Sequence, residues 1–105
     1  MSESLEQLRQ AVDDVDRQLL TLLAHRQVLV RQVGLLKQLT GAPVHVPSRA
    51  QEVFERRKEW GAAQGLSPSF IEALWHMVHT ESCRVQQEVI DRLNQHRPHP
   101  SRDDH

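Results

Sequence analysis

From Leu5 onward the apolar positions advance in steps of three and four, Leu5, Leu8, Val12, Val15, Leu19 and Leu22, and after one gap the same register resumes at Leu29, Val33 and Leu36. That spacing belongs to a helix with one apolar stripe. Ser4, followed three residues later by Gln7, is a capping-box signature, and Thr40-Gly41-Ala42-Pro43 is a strong breaker. A first helix is therefore expected from near Ser4 to about Leu39. Pro43-Val44-His45-Val46-Pro47 reads as an extended connector, because proline restricts itself and the residue before it. A second helix should open at Pro47 or Ser48 and run to about Trp60, with Ala50, Val53, Phe54, Arg57 and Trp60 at helical spacing and Gly61 to Gly65 as the next break. Ser67-Pro68 supplies an N-cap hydroxyl and a proline at the first helical position. The third helix then carries Ile71, Trp75, Val78, Ser82, Val85 and Val89 on one side and ends near Leu93. The expected fold is all-α, with three helices per chain. Residues 1–94 form one helical domain, and the Pro-broken segment 95–105 is expected to be a disordered polar tail.

The length of the first helix bears on assembly. About 35 residues at 1.5 Å each make a rod on the order of 50 Å long. A compact domain of this size has a radius of gyration of about 13 Å. Two shorter helices cannot cover such a rod, so the expected assembly is a homodimer with two long helices packed together.

Two stripes are interrupted by polar side chains. Arg26 sits in the first where the series asks for an apolar residue, and Ser82 does the same in the third. A buried cation without a partner costs several kcal/mol, about as much as a small domain can lose, so Arg26 must meet something. A buried carboxylate, a polar layer that sets register, and an anionic ligand all satisfy that need. Lys37 follows Arg26 by eleven residues, which at 100° per step returns it to within about 20° of the same face, roughly 16 Å along the axis. Gln86 lies one turn after Ser82 on the same side. Arg9 is about 100° around the helix from Arg26, so only an antiparallel partner helix would bring it to the same place. Arg49, in the first turn of the second helix, either adds a further charge or pairs with Glu52. No Asp or Glu interrupts either stripe. A donor-rich site short of acids suits an anion, and several cations suit a dianion.

Composition narrows the classes. The net charge is −1, with acids and bases interspersed, so neither a nucleic-acid surface nor an anionic membrane is indicated. No apolar run approaches the roughly 20 residues that span a bilayer, and the first ten residues lack a signal core. The one cysteine, Cys83, excludes an intrachain disulfide and fits a reducing compartment, so a cytoplasmic location is expected. Of seven histidines, His96, His99 and His105 fall in the tail. His76 and His79 lack a ligand set at convincing spacing, so no metal is expected. Cys83 reads as a packing residue, since no partnered base is evident.

These residues resemble the all-α chorismate mutase family, with its isochorismate-pyruvate lyase and 4-amino-4-deoxychorismate mutase relatives. The resemblance rests on LRQAVDDVDRQLLTLLAHRQVLVRQVGLLK, SRAQEVFERRKEW and FIEALWHMVHTESCRVQQ, where L-R, D-x-x-L-L-x-L-L-x-x-R, V-G-x-x-K and a late S-x-x-x-Q stand in order and spacing. It implies an intertwined three-helix dimer whose sites are each completed by an arginine of the other subunit, and a rearrangement that needs no cofactor. Carried over by position, Arg9 across the interface and Arg26 would grip the two carboxylates of chorismate. Lys37 and Gln86 would donate to the ether oxygen of the breaking bond, and Arg26 would act with them in catalysis. Arg49 would support the carboxylates, Ser82 would donate to the ring carboxylate, and Val33 would pack beside the ring.

Two positions depart from the bacterial mutases of this family. Where those carry an Asp and a Glu near the ring C4 hydroxyl, this chain has Val46 and Ala50. The lyase relatives also lack acids there, and Pro47 and the Trp60 region look similar to theirs. The aminodeoxychorismate mutases lack them too, and Thr80-Glu81-x-Cys83-Arg84-Val85 looks close to that subgroup. Ser82 fits the mutases better than the lyases. The resemblance thus implies a mutase acting on chorismate or its 4-amino analogue, with the pyruvate-releasing lyase and a non-catalytic helical module as alternatives.

Overall fold

The computed structural model describes residues 4–96. It holds three helices, α1 (Leu5–Thr40), α2 (Pro47–Ala63) and α3 (Pro68–Gln95), and no strand among the described residues. Local signals fix their ends. The Ser4 hydroxyl accepts from the Gln7 backbone at 3.1 Å, while the Gln7 side chain accepts from the Ser4 backbone at 2.8 Å. That reciprocal pair satisfies two otherwise orphaned donors. At the other end Gly41 adopts φ 74° and donates to the Lys37 carbonyl at 2.8 Å. A left-handed residue there closes the helix at little cost only because glycine has no Cβ. Ser67 caps α3, and Pro47 opens α2 without any side-chain cap.

Two boundaries differ from expectation. Gly61 does not break α2, which continues to Ala63; a Cβ on Gly61 would come within 2.7 Å of Ile71 Cγ1. The glycine is there for close approach of α2 to α3, and the turn falls at Gly65, with φ 80°. α3 runs on to Gln95, into the segment assigned to the tail, because the last turn still closes through His96 to Arg92. The rest of that segment, from residue 97, lies outside the described residues.

α3 packs against both other helices, whereas α1 and α2 do not pack on each other. Its stripe is therefore the one buried within the chain: Ile71, Ser82, Val85 and Gln86 are buried, joined by Ala50 and Phe54 of α2 and Val30 and Gly34 of α1. The stripe of α1 is not covered. Leu5, Leu8, Val12, Val15, Leu19 and Leu22 are each about half exposed or more, and Leu29, Val33 and Leu36 follow suit. The radius of gyration is 19.6 Å, against about 13 Å for a compact chain of this length. No helix among the described residues is long and apolar enough to cross a membrane.

Candidate functional site

The seam between α1 and α3 is set by one small residue. A Cβ on Gly34 would sit 3.0 Å from Gln86 Cα and 3.2 Å from its carbonyl oxygen, so the two backbones approach as closely as side-chain-free packing permits. That contact places Lys37, one turn on, beside Gln86, and Arg26, two turns back, beside Ser82.

Lys37 Nζ donates to Gln86 Oε1 at 2.9 Å and to the Val44 carbonyl at 2.8 Å. An ammonium has three donors. Two are committed to the protein, and the third is aimed by them. Arg26 Nη1 donates to Ser82 Oγ, which passes its own proton to the Val78 carbonyl at 2.8 Å. Ser82 and Gln86 are 4% and 7% exposed, so both are fixed partners, not mobile surface groups. Among the described residues neither Arg26 nor Lys37 makes an ion pair with an acid. Burial pulls the Arg26 guanidinium below its ordinary pKa, and no carboxylate offsets that. This seam has positive charge and donors to spare. It can hold an anion and stabilise negative charge that develops on it.

The other expected residues divide. Val46 is the N-cap of α2, Ala50 is buried four residues later, and Val33 is exposed on the uncovered face of α1. Arg49 is not brought to the seam: it is exposed and donates to Glu52 at 3.1 Å, because the two stand three residues apart on an outward face. Arg9 is exposed, seventeen residues and so about 25 Å up the rod from Arg26, and its own chain does not deliver it to the site.

Three features were not foreseen. Arg57, half-buried on α2 and stacked over Trp60 at 4.7 Å, has its pKa lowered by burial first and then by the charges of Arg26, Arg49 and Arg56. Its place in the helical series gave a signal that it faces inward, and its charge adds to the seam's potential. The expectation that His79 lacks metal-ligating neighbours fails. The connector carries His45 to it, with His45 Nδ1 and His79 Nε2 3.2 Å apart, and Cys83 Sγ lies 3.5 Å from the same His79 nitrogen. Cys83 therefore does have a base beside it. Sequence spacing could show the i, i+4 pair of His79 and Cys83 but not the long-range arrival of His45. Burial, then the charges of His45, Arg26, Lys37 and His76, pull His79 below its ordinary pKa and favour the neutral ring.

A family profile described as chorismate mutase type II matches residues 8–87. The T-protein of Enterobacter agglomerans is 39% identical over 82 residues, 78% of this chain and 22% of that protein. The bifunctional chorismate mutase/prephenate dehydratase of Escherichia coli (strain K12) is 33% identical over 96 residues, 90% of this chain and 25% of that protein. This chain thus spans about a quarter or less of those two relatives. A 4-amino-4-deoxychorismate mutase of Streptomyces venezuelae is 33% identical over 88 residues, 84% of this chain and 85% of that protein.

Proposed function

This chain belongs to the chorismate mutase type II family, and from that premise we propose that it is an isomerase rearranging chorismate, or its 4-amino analogue, to the prephenate form. The observation that carries the reading is the Arg26–Ser82 and Lys37–Gln86 pairing along one seam, where neither cation forms an ion pair with an acid among the described residues. A [3,3]-sigmatropic rearrangement requires no nucleophile, general base or cofactor. It requires the enolpyruvyl arm held over the ring and charge stabilised on the ether oxygen as the C–O bond breaks.

In this reading Arg26 takes one carboxylate, with Ser82 holding the guanidinium in line and, once its hydroxyl turns from the Val78 carbonyl, donating to the ring carboxylate. The third N–H of Lys37 and the amide of Gln86 meet the ether oxygen. Arg49, once released from Glu52, and Arg57 add positive potential from α2. Val33 packs beside the ring, and Val46 and Ala50 leave the wall near C4 free of acid, which admits either substituent. The dianion neutralises what the chain itself leaves unpaired.

The assembly is a homodimer. The uncovered face of α1 continues past Arg26, so a second copy packed on it closes the site from outside, and an antiparallel second α1 brings Arg9 to the carboxylates. Full burial of a single Leu or Val is worth about 1.5–3 kcal/mol, and the exposed series from Leu5 to Leu22 alone offers six.

The test is direct. Purified protein is incubated separately with chorismate, 4-amino-4-deoxychorismate and isochorismate while substrate absorbance and pyruvate are followed. Consumption of either of the first two without pyruvate is expected, and Lys37→Ala should slow it by about 10²–10³. Pyruvate release from isochorismate as the dominant activity, or no turnover of all three, overturns the assignment.

A further inference from the structure

The His45, His79 and Cys83 cluster is assigned no step of the proposed rearrangement, and its atoms are spaced as a ligand set. The three ligating atoms lie within 4.8 Å of one another. A tetrahedral Zn²⁺, with bonds of about 2.0–2.1 Å to imidazole and about 2.3 Å to thiolate, spaces neighbouring ligand atoms roughly 3.3 Å (N to N) and 3.6 Å (N to S) apart. The edges here are 3.2 Å from His45 Nδ1 to His79 Nε2 and 3.5 Å from His79 Nε2 to Cys83 Sγ. Hydrogen bonding alone accounts for less. One imidazole nitrogen offers a single lone pair or a single N–H, yet His79 Nε2 faces two partners.

We propose that His45, His79 and Cys83 form a site for a borderline-soft divalent cation of the Zn²⁺ class, with the fourth coordination position open to water. Two imidazoles and a thiolate select such a metal over Mg²⁺ or Ca²⁺, which want oxygen ligands. Binding releases the Cys83 thiol proton to solvent, because the thiolate is the ligand. The charges of Arg26 and Lys37 reach His79 and oppose a second cation. Cys83 is therefore indispensable, since its thiolate supplies the only negative charge in the set.

The position of the site gives the metal a structural consequence. His45 lies between Val44, whose carbonyl accepts from Lys37, and Val46, the N-cap of α2. His79 and Cys83 flank Ser82 on α3. A bound cation staples the α1–α2 connector to α3 next to the seam.

The full chain, stripped with chelator and kept reduced, is titrated with Co²⁺. One equivalent per chain is expected, with a near-ultraviolet thiolate-to-cobalt charge-transfer band and the intense visible bands of a tetrahedral ion, all displaced by Zn²⁺. Cys83→Ser abolishes the near-ultraviolet band. His45→Ala, a change in an exposed connector that leaves the helices intact by circular dichroism, weakens binding by at least about tenfold, since even outer-shell partners cost that much. A protein with His96, His99 and His105 all replaced by alanine keeps the band. No cobalt binding, cobalt binding without the thiolate band, or binding left undiminished by His45→Ala overturns the site. None of these readouts depends on turnover, so failure here and failure of the mutase reading are separable.

Discussion

Gly34→Ala tests whether the α1–α3 seam is as tight as its geometry states. The new methyl would meet Gln86 Cα at 3.0 Å, the Gln86 carbonyl oxygen at 3.2 Å and Gln86 Cβ at 3.3 Å. Comfortable carbon–carbon contact begins near 3.5 Å, so α3 must retreat by roughly half an ångström at this point. Backbone atoms cannot rotate away, and the helix as a whole has to move. Overpacking of this kind costs about 1–3 kcal/mol, while alanine in a helix gains about 1 kcal/mol over glycine. The net expectation is a loss of about 0–2 kcal/mol, visible as a melting temperature lower by no more than about 15 °C. Activity should suffer more than stability. The retreat carries Gln86 away from Lys37, whose 2.9 Å contact aims the third ammonium donor. Misplacement of about 1 Å costs up to about a hundredfold, so half of that predicts roughly a tenfold loss in kcat/KM. Turnover and thermal melts on the same preparation check both numbers. A variant about 1 kcal/mol more stable than the parent and fully active would refute the close approach.

Other expectations follow from neighbouring features. Gly61→Ala drives a methyl to 2.7 Å from Ile71 Cγ1, away from the seam, and should lower the melting temperature while leaving kcat/KM of the surviving fold within about twofold; a seam defect there would show as lost turnover. Arg9→Ala and Arg26→Ala, each inactive alone, should regain part of the activity when mixed, through heterodimers with one intact site; no recovery after verified subunit exchange removes Arg9 from the neighbouring site. The Arg84 guanidinium, hydrogen-bonded to Glu81, holds that carboxyl below its ordinary 4.5. The unfolded chain binds the proton first as pH falls, so the stabilisation is present above 4.5 and lost through the lower folded value. Arg84→Gln should thus melt slightly earlier at pH 7, with the gap closing in acid; a gap that widens below pH 4.5 would contradict the assignment.

Much of this molecule was legible because its signals are local. Ser4 with Gln7, Thr40-Gly41 and Ser67-Pro68 marked three helix ends, and each is a bond or a dihedral that few residues determine. The eleven-residue step from Arg26 to Lys37, and the four-residue step from Ser82 to Gln86, placed four side chains on two facing edges, where the structure pairs them. What periodicity could not show was which flank of α1 meets α3. The series through Leu29, Val33 and Leu36 is the louder pattern, yet the chain buries Val30 and Gly34, because the smallest residue permits the closest approach. Gly61 was misjudged for the same reason. A glycine in sequence signals a turn and a tight contact alike, and only the opposing Ile71 distinguishes them. Arg49 paired with Glu52 since a neighbour three residues along a helix is always within reach. His45 arrives through tertiary placement, which spacing does not encode.

The proposed pairing of two long rods makes concentration a hidden variable of this fold. The leucine and valine ridge from Leu5 to Leu22 gains its shelter from another molecule, so each dilution erodes folded protein and working sites together. Specific turnover should then fall as the sample is thinned, recover when it is reconcentrated, and persist at low dose once two copies are joined end to end by a linker.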